Sequence, residues 1–261
     1  MTRLLLVSLI IISLAGCATS PKGRKQLMFV PDDLVNSMGV QAFQEMKAQE
    51  PVDRQPAVNA YVKCVADAIT AVAGDGSQGS WEVVVFQDDT ANAFALPGKK
   101  IGVHTGLLKV AQTPAQLAAV IGHEVGHVLA KHGGERMSEN FATQGGLAVL
   151  QATFQNKGPK YDLIMASLGL GAQFGILLPH SRDQESEADL IGLDLMAKAG
   201  FDPQESVQLW QNMEKAGGGQ PPEFLSTHPS HGTRMGNLKA NMGNAVKLYQ
   251  GSGRHPSCRP S

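Results

Sequence analysis

Thr113-Pro114-Ala115-Gln116-Leu117-Ala118-Ala119-Val120-Ile121-Gly122-His123-Glu124-Val125-Gly126-His127-Val128 is the stretch around which the 261-residue chain organises itself. Thr113 is an N-cap and Pro114 suits the first helical position. Gln116 is placed to close a capping box, and Gly133 is the expected stop. Leu117, Val120, Ile121 and Val128 give the helix an apolar stripe, so it packs rather than floats. At ~100° per residue, His123 and His127 lie only ~40° apart around the axis, and one face presents two imidazoles.

Glu124 falls ~80° from the centre of that face, close enough to reach a water on a metal without displacing a ligand. Two histidines one turn apart with an intervening glutamate are the zinc ligands and general base of helical metallopeptidase sites. In a chain with 8 histidines the pattern arises by coincidence roughly 0.01 times, so a chance pair of surface histidines is a weak rival. Catalytic zinc needs a third protein ligand and one open position. His132 lies five residues past His127 and ~160° from the ligand face, whereas metzincins place their third histidine six residues on, after a helix-breaking glycine. His132 therefore reads as solvated, or as supporting a ligand from outside. The better third ligand lies in Ser181-Arg182-Asp183-Gln184-Glu185-Ser186-Glu187-Ala188-Asp189. There Glu185 and Asp189 share a helical face; Glu185 can bind zinc while Asp189 fixes the tautomer of a ligating histidine. Glu187 points elsewhere.

Outward from this centre, Asp32 and Asp33 open a helix running towards Gln49. A second carries Val58, Tyr61, Val62, Val65, Ile69 and Val72 at helical spacing, ending in the Gly74 to Gly79 cluster. Trp81 to Phe86 reads as a strand, and Phe94 to Leu96 with Ile101 to His104 read as a hairpin about Pro97-Gly98. Gly145 to Leu178 reads as a lid or a pair of packing helices. Ser181 with Gln184, then Asp202, Pro203 and Glu205, start two further helices. A loop at Pro221-Pro222 precedes a last helix over Ser230 to Gln250, and the tail (251–261) is expected to be flexible. The sum is an α+β domain, mainly helical and zincin-like, with a small β-sheet beside the metal helix.

The N-terminus has Arg3, an apolar run from Leu4 to Ile12, and Ala15-Gly16 before Cys17. The run is too short for a comfortable membrane span, and Leu14-Ala15-Gly16-Cys17 resembles a bacterial lipobox. The expected organisation is a lipoprotein signal peptide over 1–16, a lipidated N-terminus and polar linker over 17–29, and a metallopeptidase domain over 30–250. Ala18, by resemblance to enterobacterial lipoproteins, favours the periplasmic face of the outer membrane. Cys64 and Cys258 remain as an even pair, either a disulfide or two free thiols. A net charge of -1 and a pI near 6.7 carry no polybasic footprint, which sets nucleic acid aside.

His123-Glu124-Val125-Gly126-His127 and Glu185-Ser186-Glu187-Ala188-Asp189, with Asn92-Ala93-Phe94-Ala95 upstream and Thr227-His228-Pro229 downstream, resemble the gluzincin peptidases typified by HtpX and the CaaX prenyl proteases. Within that family the chain looks most like soluble periplasmic members such as BepA and LoiP. The resemblance implies one Zn2+ per chain on His123, His127 and Glu185, with Glu124 as base and Asp189 in support. It implies that His228 and Arg234 approach the site to stabilise an oxyanion, and that His228 can cap zinc in a latent state. Asn92, Ala93, Phe94 and Ala95 correspond to an edge strand for extended substrate; on residues alone they are a plain hairpin. Misfolded envelope proteins are the implied substrates. No tetratricopeptide module is matched, which puts a chaperone-like role borrowed from BepA in doubt. A lipid-anchored zinc-containing binding or chaperone-like module without proteolytic turnover is the alternative reading.

Overall fold

The computed structural model describes residues 17–74, 80–143, 180–216, 224, 228 and 232–260. The leader, the Gly145 to Leu178 segment and the Pro221-Pro222 loop lie outside the described residues. The elements are β1 Cys17–Thr19, β2 Lys25–Leu27, α1 Asp32–Gln49, α2 Pro56–Thr70, β3 Glu82–Phe86, β4 Ala93–Leu96, β5 Lys100–His104, a 3-10 turn Thr105–Lys109, α3 Pro114–Leu129, α4 His132–Thr143, α5 Arg182–Lys198, α6 Glu205–Ala216 and α7 Gly232–Gly251. The fold is α+β and mainly helical, as the sequence predicts.

The main sheet has the order β3-β5-β4. β5 pairs parallel with β3 and antiparallel with β4, which leaves β4 at an edge among the described residues. Period-two alternation sorts its side chains: Val85, Ala93, Ile101 and Val103 enter the principal core. Phe86, Phe94 and Leu96 face a smaller cluster with Leu34, Met38 and Phe43 of α1. The sheet is therefore sandwiched between α1 and the helices α2 and α3.

α3 is the hub, and its most extensive contact is with α5. Glycines let the two backbones meet. A Cβ on Gly122 or Gly126 would stand 3.0 Å from the carbonyl oxygens of Gly192 and Ala188 respectively, and one on Gly192 would stand 2.7 Å from the His123 amide. Real Cβ atoms essentially never come that close, so Gly192 in particular is required by the crossing.

Four local expectations need correction. The residue closing α3 in the left-handed region is Lys131, with φ 55°, and Gly133 lies inside α4, a helix the sequence reading missed. The capping box on α3 is only half made: Thr113 accepts from the Gln116 amide, but Gln116 Oε1 accepts from Gln112 N rather than from Thr113. Its Nε2 and the Thr113 hydroxyl both donate to Glu205, tying the start of α3 to α6. Residues 17–27 are a docked antiparallel hairpin rather than a linker, because Gln26 is buried and bonds the Ala130 carbonyl at 2.7 Å. The tail is pinned rather than loose: Cys64 and Cys258 form a disulfide, and the Arg254 carbonyl packs on Gly200, whose φ is 88°. On α5 the Ser181/Gln184 capping box is complete.

Gly192→Val forces α5 away from α3, and we expect a loss of about 1–3 kcal/mol from such overpacking. Denaturant midpoints check this; an unchanged midpoint would show that the crossing does not depend on the glycine.

Candidate metal centre

The α3–α5 crossing faces the two histidines of one helix with the acids of the other. His123 Nε2 and His127 Nε2 are 3.0 Å apart. Glu185 Oε2 is 3.5 Å from the first and Oε1 is 3.4 Å from the second. His228 completes the group, its Nδ1 lying 3.3 Å from His123 Nε2 and 3.0 Å from Glu185 Oε1. A tetrahedral ion with bonds of about 2.0–2.1 Å has donor-to-donor edges of about 3.3–3.4 Å. The four side chains, all buried, fit that figure in both chemistry and size. Glu124 Oε1 is buried without a hydrogen-bond partner, 3.5 Å from His228 Nε2, and Oε2 accepts from the Ala95 amide of β4 at 3.3 Å. A carboxylate oxygen left bare beside a cage of donors is one kept for a ligand or a water.

Behind the cage, Asp189 Oδ1 sits 3.0 Å from His123 Nδ1. Arg234 holds Asp189 with two bonds of 2.6 and 2.7 Å, reaches Glu185 Oε2 at 2.7 Å, and donates to the His228 carbonyl at 3.2 Å. It also stacks on Trp210 at 4.3 Å. Its guanidinium therefore lies on the outer side of His123 and is not among the groups lining the cleft. The oxyanion role that the resemblance implies for Arg234 gives way to one of fixing Asp189 and Glu185, because those carboxylates already occupy its donors. His132 is not solvated: it is fully buried, with Nδ1 2.8 Å from His127 Nδ1 and Nε2 3.3 Å from Glu187.

The electrostatics follow from burial and these partners. Burial pushes the Glu124 carboxyl up, which suits a group that must accept a proton. Burial opposes charge on Glu185, yet bonds from His123, His127 and His228 outweigh it and hold the carboxylate far below its ordinary range. For Asp189 burial is likewise overcome, chiefly by Arg234 and then by His123. Burial carries the His127 imidazole well below its usual value, leaving it neutral and able to bind a metal.

The cleft beside the cage has a volume of about 430 Å³ and is lined by Phe94, Ala95, Glu124, His127 and His228 among others. Asn92, Ala93, Phe94 and Ala95 all border it, three of them on edge strand β4. Three further lining or stacking groups escaped the sequence reading. His180 stacks on His127 with ring centres 3.7 Å apart and bonds Arg136, whose guanidinium burial lowers to about 10. Phe224 stacks on His228 at 4.6 Å. The last had a signal, since Phe224 and His228 are one turn apart and joined by a backbone hydrogen bond of 2.9 Å. Arg136 and His180 had none, because they flank a segment with no readable period.

Residues 54–242 match the model of Peptidase family M48. The chain belongs to that family. Its curated relatives include mitochondrial and bacterial proteins. It is 35% identical over 217 residues to the mitochondrial metalloendopeptidase OMA1 of Schizosaccharomyces pombe, covering 81% of this chain and 62% of that protein. To the OMA1 of Arabidopsis thaliana it is 40% identical over 176 residues, 66% of this chain and 34% of that protein. With the beta-barrel assembly-enhancing protease of Yersinia pestis it shares 27% identity over 220 residues, 82% of this chain and 44% of that protein. The M48 chain thus spans less than two thirds of each of these relatives. Membership of a metal-dependent family agrees with the buried His/Glu group.

Arg234→Met removes the partner of two buried carboxylates, and we expect a loss of about 3–5 kcal/mol. Zinc should recover part of it by restoring positive charge beside Glu185; thermal melts with zinc and with chelator measure both effects. Equal melting temperatures of variant and parent under chelation would contradict this account of Arg234.

Proposed function

We propose that this M48 chain is a zinc-dependent metalloendopeptidase of the bacterial envelope, with His123, His127 and Glu185 as metal ligands. The supporting observation is the four-donor cage, with the bare oxygen of Glu124 beside it and Glu124 lining the cleft. A zinc ion held there would polarise the scissile carbonyl and acidify the attacking water. Glu124 Oε1 takes the proton of that water and passes it to the leaving amine, so the peptide bond is cut without a covalent enzyme intermediate. Edge strand β4, bordering the cleft, offers backbone groups along which an extended peptide can pair.

His228 has two roles in this reading. As the fourth donor it closes the cage and makes the enzyme latent. Swung out of that position, it becomes a hydrogen-bond donor to the developing oxyanion. A closed cage also suits the second reading, a zinc-containing binding module without turnover.

In this reading the lipobox-like Cys17 carries an acyl anchor on the periplasmic face of the outer membrane and misfolded envelope proteins are the substrates; the bacterial relatives, named as beta-barrel assembly-enhancing proteases, support an envelope-associated protease. Among the described residues no helix is long and apolar enough to cross a membrane. In this organisation residues 1–16 are the cleaved signal and the peptidase unit spans 30–250, with the 17–27 hairpin docked on it.

Zinc content and casein hydrolysis of three proteins test the proposal. Glu124→Gln should keep its zinc and lose activity by at least about 100-fold, as expected for a general base. His228→Ala should keep zinc on three ligands and, because the parent rests capped, cut faster than the parent even though it also lacks the oxyanion donor of the open state. Zinc-loaded protein that stays inert in both the parent and His228→Ala would move the assignment to the binding module.

A further inference from the structure

The two histidines on α3 are not held alike. His123 has a carboxylate directly on its Nδ1, and Asp189 is itself held by Arg234. His127 has another imidazole there. Its Nδ1 is 2.8 Å from His132 Nδ1, and His132 Nε2 is 3.3 Å from Glu187 Oε2. The same Oε2 accepts from Arg24 Nε at 2.9 Å, and Oε1 accepts from the Lys22 amide at 3.1 Å. Arg24 forks onto Glu135, with one arm at 2.6 Å, and Glu135 is braced by Gln184 and Gln26. His132 and Glu187 are buried.

We propose that Arg24, Glu187 and His132 form a second positioning arm for His127, through which the hairpin that begins at Cys17 sets how tightly the metal is held. This rests on the reading of His123, His127 and Glu185 as zinc ligands. The proton positions support it. An Nδ1-to-Nδ1 contact needs one hydrogen. With His127 Nε2 turned into the cage, His127 Nδ1 must be the donor and His132 Nδ1 the acceptor. His132 then carries its own hydrogen on Nε2 and gives it to Glu187, so every polar atom along the arm has a partner. A ligating histidine is usually oriented by a carboxylate on its far nitrogen. Here the carboxylate acts one imidazole further away, because the chain turns at Lys131 and inserts the first residue of α4 between the two.

The arm explains features that the catalytic reading leaves unused. Glu187 is buried, but it faces neither the cage nor the cleft. The hairpin's docking is polar rather than apolar: Arg24 meets two buried acids, and Gln26 meets both Glu135 and the carbonyl of Ala130, which ends α3. The segment that leaves the anchor position is thus joined by hydrogen bonds to a metal ligand. Arg24, Glu187 and His132 touch no substrate; they act through His127.

Zinc affinity, measured by competition with a chromophoric chelator on the full chain, tests the arm together with the visible absorption of the cobalt-substituted protein. Glu187→Gln preserves shape and should weaken zinc about 10–100-fold, the usual cost of losing such a partner. His132→Asn and Arg24→Met should do the same, with Arg24→Lys restoring part of the loss, and each should alter the cobalt band as the His127 ring turns. Lys47→Ala, which breaks an ion pair with Glu82 that includes no member of the arm or the cage, should change neither readout. Parental affinity and an unaltered cobalt spectrum in Glu187→Gln and Arg24→Met would overturn the arm while leaving the zinc site intact. Two zinc ions in the parent and one in His132→Asn would overturn it as well, since His132 would then be a ligand of a second ion with His127 and His180. A parent that binds no zinc would instead overturn the reading of the site itself.

Discussion

Backbone-to-backbone contact between α3 and α5 is the constraint on which the molecule depends. Gly122, Gly126 and Gly192 remove the side chains that would hold the two helices apart, and the Gly192 position leaves no room for even a methyl group. At that spacing, short acids on α5 reach the histidines of α3. Glu185 enters the cage, and Asp189, one turn on, meets the rear of His123. Helices separated by ordinary side chains would leave these carboxylates short of the donors they now contact. The sheet serves the same end from the other side, placing the β4 backbone against Glu124.

Close packing creates an electrostatic cost, and the rest of the chain is arranged around it. Glu124, Glu185, Glu187 and Asp189 are all buried. Isolated carboxylates in such a place are strongly disfavoured. Arg234 answers for Glu185 and Asp189, arriving from α7, which packs along α5. Arg24 answers for Glu187 and Glu135, arriving from the N-terminal hairpin. Glu124 has no cation of its own, only His228 at 3.5 Å, and burial raises its proton affinity accordingly. Of these four acids Glu124 is the one without an arginine partner among the described residues, which suits the proton exchange proposed for it.

The centre was legible in the sequence because its signals are local. Spacing on one helix brings His123, Glu124 and His127 together, and spacing on another pairs Glu185 with Asp189. Alternation in Phe94 to His104 gives the hairpin. What escaped was set by contacts between distant segments. Lys131 adopts the left-handed conformation usually left to glycine, so α4 begins at His132 and that side chain turns inward against His127, a choice that spacing alone left open between solvent and support of a ligand. The Ala18 to Lys25 segment has a linker's composition, and hydrophobic periodicity cannot detect a hairpin fastened by Arg24 and Gln26. The tail's own sign of being held is Cys258, which the sequence leaves either free or paired; the disulfide to Cys64, 194 residues away, is what pins it. Arg234 was recognised, but its orientation depends on Trp210 and Asp189, which no spacing rule connects to it.

X-ray absorption at the zinc edge of the purified full chain tests the central claim most directly, because it counts and identifies the atoms around the metal. The account predicts one zinc per chain in a four-coordinate shell of three imidazole nitrogens and one carboxylate oxygen, at about 2.0–2.1 Å. Sulfur in the shell, or a chain that retains no metal, would contradict it.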